Sequence, residues 1–81
     1  VKKLFVANLP FGGLTVEDLR AHFAQCGEVI DVQLRRDRNH MPSYGFVTYA
    51  REEDARRALV TMQRTILDGR ALDIQVAARQ A

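Results

Sequence analysis

Two stretches of the chain alternate apolar residues with others at a period of two, Leu4-Phe5-Val6-Ala7-Asn8-Leu9 and Tyr44-Gly45-Phe46-Val47-Thr48-Tyr49. Such alternation predicts half-buried strands, in which residues i and i+2 share a face. The first is expected over Lys3 to Asn8 and the other over Tyr44 to Ala50. Val29 to Arg36 follows the same rule, with Ile30, Val32 and Leu34 on one face and Asp31, Gln33 and Arg35 on the other. A last strand is expected over Ala71 to Ala77, with Leu72, Ile74 and Val76 inward and Asp73, Gln75 and Ala77 outward. Between these segments the apolar period becomes helical. Val16, Leu19, Phe23 and Cys26 form one stripe, and Ala55, Ala58, Leu59 and Met62 form a second along a helix from Glu52 to Met62.

Local signals set the boundaries. Thr15 with Asp18 three residues on is close to a capping box, and Glu17 adds negative charge to the first turn. Gly27 stands where a C′ glycine ends a helix. Arg51 is a poor N-cap, but Glu52, Glu53 and Asp54 suit the dipole of the second helix. Pro10 to Gly13 and Asp37 to Ser43 are loops, and Asp68-Gly69 is a turn expected to pair Thr65-Ile66-Leu67 with the last strand. The element order β-α-β-β-α-β is the ferredoxin-like arrangement. It predicts an α+β sandwich, a four-stranded antiparallel sheet with two helices on one face.

Parity along the strands makes a second point. If Leu4, Val6, Val47 and Tyr49 face the helices, then Phe5, Tyr44 and Phe46 face outward, which places half of the six aromatic residues on an open sheet. Ordinary core packing of these rings would need helices on both faces, and the chain has patterns for only two. An exposed aromatic cluster marks an interaction surface, and flat rings on a sheet suit unpaired nucleobases.

In these two segments the chain resembles the RNA recognition motif (RRM) family. Tyr44 to Tyr49 matches the submotif K/R-G-F/Y-G/A-F-V-x-F/Y from its third position onward. Leu4 to Leu9 is similar to the family's apolar–aromatic–apolar–x–Asn–Leu hexamer. The resemblance spans about residues 2 to 78, so residues 1–81 are expected to be a single domain. It implies that the two submotif strands lie side by side at the sheet centre and that the partner is single-stranded RNA. It also implies that Phe5 and Tyr44 stack on successive bases while Phe46 packs against a sugar. The sequence departs from the family where a basic residue and Gly are usual, at Pro42 and Ser43.

The surrounding polar residues complete a candidate RNA-binding set. Lys3, Gln33, Arg35 and Gln75 share the open face in this register. An amide carries both donors and an acceptor, so Gln33 and Gln75 suit base edges. Arg35, Arg36 and Arg38 concentrate charge at a loop beside the rings and suit phosphates, and Arg79 follows the last strand. Asn8 points away from the platform by parity and is read as fixing the following loop.

Bulk composition narrows the class. Eighty-one residues at 47% hydrophobic and 27% charged fit one small folded domain. Net charge of +2 is too mild to argue for nucleic acid by itself, so placement of charge carries the argument. A single cysteine excludes an intramolecular disulfide framework and favours an intracellular compartment, nucleus or cytoplasm, with an organelle left open. The start at Val1-Lys2-Lys3 without Met reads as a domain cut from a longer protein.

No cofactor or metal site is expected, His22 and His40 being too far apart in pattern. Catalysis is disfavoured because the first βα loop, Leu9 to Leu14, lacks basic and nucleophilic side chains. The alternative function is a protein-interaction or dimerisation module of the RRM-like class. Peptide-binding members often carry Arg-x-Phe before the last strand, where this chain has Arg70-Ala71-Leu72.

Overall fold

The computed structural model describes residues 2–9, 15–36, 42–67 and 69–77, and in 36, 42 and 43 the backbone only. The elements are β1 (Lys3–Ala7), α1 (Val16–Phe23), a 3₁₀ turn (Ala24–Cys26), β2 (Val29–Arg36), β3 (Pro42–Tyr49) and α2 (Glu52–Thr61), followed by β4 (Ile66–Leu67), β5 (Arg70–Ala71) and β6 (Asp73–Val76). An antiparallel sheet runs in the order β2-β3-β1-β6, and β4-β5 is a separate hairpin. The β-α-β-β-α-β order and central β1–β3 pair agree with the expectation.

Helix α1 starts where the sequence predicts. The Thr15 hydroxyl accepts from Asp18 N–H at 3.1 Å, and the Asp18 carboxylate accepts from Thr15 N–H at 3.1 Å. This capping box supplies about 1 kcal/mol to a helix too short to hold itself. Packing does the rest. Leu19 and Phe23 are fully buried with Leu4, Val6, Val47, Tyr49, Ala55, Ala58, Leu72 and Ile74, and each large side chain contributes about 1.5–3 kcal/mol. Gly45 permits the close approach of α1 to the sheet, since a Cβ there would lie 3.1 Å from Leu19 and 2.9 Å from the Gln33 carbonyl. Tyr49 is buried with its hydroxyl donating to the Phe23 carbonyl at 2.6 Å, which ties β3 to the end of α1. Burial, followed by the charges of Cys26 and Asp54, pushes that phenol well above its ordinary value.

Several expectations are corrected. Ile30 is 55% exposed rather than inward, because the β2–β3 register shifts between Val29 and Asp31. One extra residue in β2 leaves Val29 buried opposite Tyr49 and turns Ile30 out. Val76 pairs with Leu4 on the helix side but is 43% exposed, since near the end of the edge strand it lines an open groove with Ala55 and Leu59 of α2. The last strand is split. Arg70–Ala71 belongs to the hairpin, and β6 begins at Asp73 after Leu72, whose N–H donates to the Thr65 carbonyl.

At the ends of elements three further differences appear. Asn8 leaves the strand with φ 59° and reaches β5, its amide donating to the Ala71 carbonyl at 2.6 Å and accepting from Arg70, while the loop it is expected to fix lies outside the described residues. Residue Gly27 follows the 3₁₀ turn rather than α1 itself, and a Cβ there would collide with Asp54. Strand β3 starts at Pro42, earlier than expected, at the strand-opening position that proline tolerates.

Candidate nucleic-acid interface

The register converts the open face into a grid. One cross-strand row reads Gln33, Phe46, Phe5, Gln75 from β2 to β6. The next reads Arg35, Tyr44, Ala7, Asp73. A third begins Asp31, Thr48, Lys3. Alternation puts these residues opposite Leu4, Val6, Val32, Val47, Leu72 and Ile74, all of which are buried. The grid is therefore the face that α1 and α2 leave uncovered.

The rings meet as the strand parity predicts. Phe5 lies 5.5 Å from Tyr44 and 5.6 Å from Phe46 between ring centroids, and Tyr44 lies 5.7 Å from Phe46. Tyr44 and Phe46 stand nearly perpendicular at 88°, while Phe5 is tilted 38° to Tyr44. These are the spacings of edge and tilted aromatic pairs, which hold one another in place at about 0.5–1.5 kcal/mol each. The three rings are half-buried, so their edges are fixed while apolar surface stays open. Each ring touches the other two, so the three form a closed triangle.

Polar groups surround this cluster. The Lys3 ammonium sits over Phe46 at 4.7 Å from the ring centroid, a cation–π contact that fixes a positive charge at the platform. Gln33 is half-buried and donates to the Asp31 carboxylate at 3.4 Å, while Arg35 and Gln75 are exposed. Lys3, Phe5, Gln33, Arg35, Tyr44, Phe46 and Gln75 therefore share one face. The Arg36 side chain, Arg38 and Arg79 lie outside the described residues, as do the side chains of Pro42 and Ser43.

Among residues not singled out from the sequence, Ala7, Thr48 and Asp73 complete the rows. Parity alone places them; their neighbours across the strands become visible only with the register. Away from this face, Asp54 is buried and pairs with Arg57 at 3.3 Å, and Arg57 also donates to the Cys26 carbonyl. Gln63 pairs its amide with both backbone groups of Ile74, donating at 2.6 Å and accepting at 2.8 Å, which caps the outer edge of β6. Burial lowers the His22 pKa from its ordinary value. The Thr65 hydroxyl donates its proton to the Met62 carbonyl, so His22 Nε2 at 3.0 Å donates to Thr65. Among the described residues no group of His, Cys, Asp and Glu is arranged to hold a metal, and no helix is long and apolar enough to cross a membrane.

Known proteins share this arrangement. Human RNA binding protein fox-1 homolog 3 is 36% identical over 76 residues, covering 94% of this chain and 24% of the relative. The chain thus spans about a quarter of that relative's length. The second RRM domain of the yeast poly(U)-binding protein superposes with TM-score 0.82 at 30% identity, covering 100% of this chain and 99% of that one. A Sex-lethal protein/RNA complex superposes with TM-score 0.85 at 26% identity, covering 99% and 48%. The sequence profile of the RNA recognition motif matches residues 4–73, which include both aromatic submotif strands and both helices, and the chain belongs to the RNA recognition motif family.

Proposed function

We propose that this chain is a single-stranded RNA-binding module, without catalytic activity, of an intracellular RNA-processing or regulatory protein. The observation that carries the reading is the cluster of Phe5, Tyr44 and Phe46, with centroids 5.5 to 5.7 Å apart on the sheet face opposite the core. Bases of an unpaired strand stack on this cluster, and a neighbouring sugar packs against it. Stacking alone tolerates any base, since every base has a π-face. Gln33 and Gln75 flank the central row and meet base edges. Lys3 and Arg35, with Arg36 and Arg38 at the β2–β3 connection and Arg79 after β6, supply charge to phosphates. Support also comes from relatives whose names carry RNA and, in one case, poly(U).

The stacking mechanism requires splayed bases, which a duplex hides. Fluorescence anisotropy with one labelled RNA, alone and annealed to its complement, tests this. The single strand should bind and the duplex should bind markedly more weakly. Equal affinity for both would point to charge attraction alone and sink the stacking mechanism.

A further inference from the structure

We infer that Asp73 makes this platform selective, favouring guanine and rejecting uracil at the base that covers Phe5. The inference rests on the RNA-binding reading above and adds to it the identity of a preferred base. Asp73 opens β6, is exposed, and pairs in register with Ala7 on the platform face. Among the described residues its carboxylate has no hydrogen-bond or ion-pair partner. Arg35 occupies the same row, but three strand spacings, about 14 Å, separate their backbones, which excludes a direct pair. An unpaired carboxylate on a face that receives a polyanion weakens binding unless it accepts hydrogen bonds from the ligand.

The grid shows what it can accept. Gln75 is the direct neighbour of Phe5, and Asp73 is the diagonal one, with backbones about 7–8 Å apart. Ala7, the residue between Asp73 and Tyr44 in that row, carries only a methyl group. A base lying on Phe5 can therefore extend its edge over Ala7 towards an acceptor-only carboxylate and an amide that donates and accepts. Guanine offers two adjacent donors, N1–H and N2–H, to the two carboxylate oxygens, and its O6 accepts from the Gln75 amide. Adenine and cytosine each offer one amino group beside a ring acceptor. Uracil has a single N3–H flanked by two carbonyls, so a carboxylate set against that edge meets repulsion on either side. Charged acceptors make the stronger hydrogen bonds, which puts guanine first and uracil last.

The test uses four short single-stranded RNAs, UUUGUUU, UUUAUUU, UUUCUUU and UUUUUUU, with the unaltered chain, Asp73→Asn and Phe5→Ala, each checked for folding by circular dichroism. The unaltered chain should bind the guanine probe about tenfold or more tighter than the all-uridine probe. Asp73→Asn, whose amide can both donate to and accept from uracil, should bring the two within about threefold. Inosine in place of guanine removes the N2 amino group and should weaken the unaltered chain while leaving Asp73→Asn nearly unchanged. Equal affinity of the unaltered chain for the guanine and all-uridine probes, or a preference unchanged in Asp73→Asn, overturns the inference and leaves RNA binding standing. Absence of binding to every probe, or affinities indifferent to Phe5→Ala, overturns the platform reading and the inference with it.

Discussion

Replacing Phe5 with alanine sets the loss of RNA binding beside the loss of stability in one variant. The ring lies 5.5 Å from Tyr44 and 5.6 Å from Phe46, and is only half-buried. Losing a base–aromatic stack weakens single-strand binding by about 1–3 kcal/mol, or roughly 5- to 150-fold in Kd. The upper half of that range is expected, because Tyr44 and Phe46 each also lose one of their two ring neighbours. The stability cost is of the same order. Two aromatic contacts worth about 0.5–1.5 kcal/mol each disappear, and the gap opens to solvent rather than creating a sealed cavity. A loss of about 1–3 kcal/mol follows from those contacts. Leu19→Ala should differ, costing about 2–5 kcal/mol of stability at a fully buried site while sparing affinity per folded molecule. Isothermal titration with a short single-stranded RNA, paired with urea denaturation, reads both quantities. If Phe5→Ala unfolds the domain and the remaining folded molecules bind RNA as before, the assignment of faces is wrong.

Other predictions concern the support and surroundings of the platform. Tyr49→Phe removes the donor to the buried Phe23 carbonyl and should cost about 1–3 kcal/mol in chemical denaturation, with RNA affinity of the folded protein unchanged. Arg35→Gln should weaken unrelated RNAs to a similar extent and flatten the slope of log K against log salt by about 0.7 if Arg35 meets one phosphate. An effect confined to one RNA at unchanged slope would make Arg35 a base reader instead. Burial lowers the folded-state pKa of His22, so the unfolded chain binds more protons in the window below the ordinary histidine value of about 6.5. Its contribution should be complete above that value and be lost as pH falls through the lower folded pKa; thermal melts of His22→Gln should show a flatter acid limb.

The sequence reads well here where a fixed period controls the outcome. Side chains alternate along any regular strand, so Phe5, Tyr44 and Phe46 could be placed on one face before their strands were known to touch. The capping box at Thr15 is equally local. Ile30 escapes such reading because a bulge is decided by strand pairing, and one extra residue undoes the parity on which the expectation rests. Val76 obeys its parity yet stays exposed, since the groove left open between α2 and the edge strand is not written in the strand itself. Asn8 breaks from β1 through a left-handed backbone that ties it to β5, a partner sixty-three residues away. The buried Asp54 and the Gln63 clamp on Ile74 likewise depend on tertiary neighbours. Asp73 reads as a solvated outward residue until the register sets it beside Ala7 and diagonal to Phe5.

A backbone-amide NMR titration with a short single-stranded RNA tests the central claim most directly. The account predicts the largest shifts along Lys3–Ala7 and Tyr44–Thr48, with Gln33, Asp73 and Gln75 following, and little change at the exposed positions of α2 such as Glu53 and Val60. Shifts confined to α2 and the shallow groove where Leu59, Ala55 and Val76 meet, with the aromatic strands silent, would contradict it.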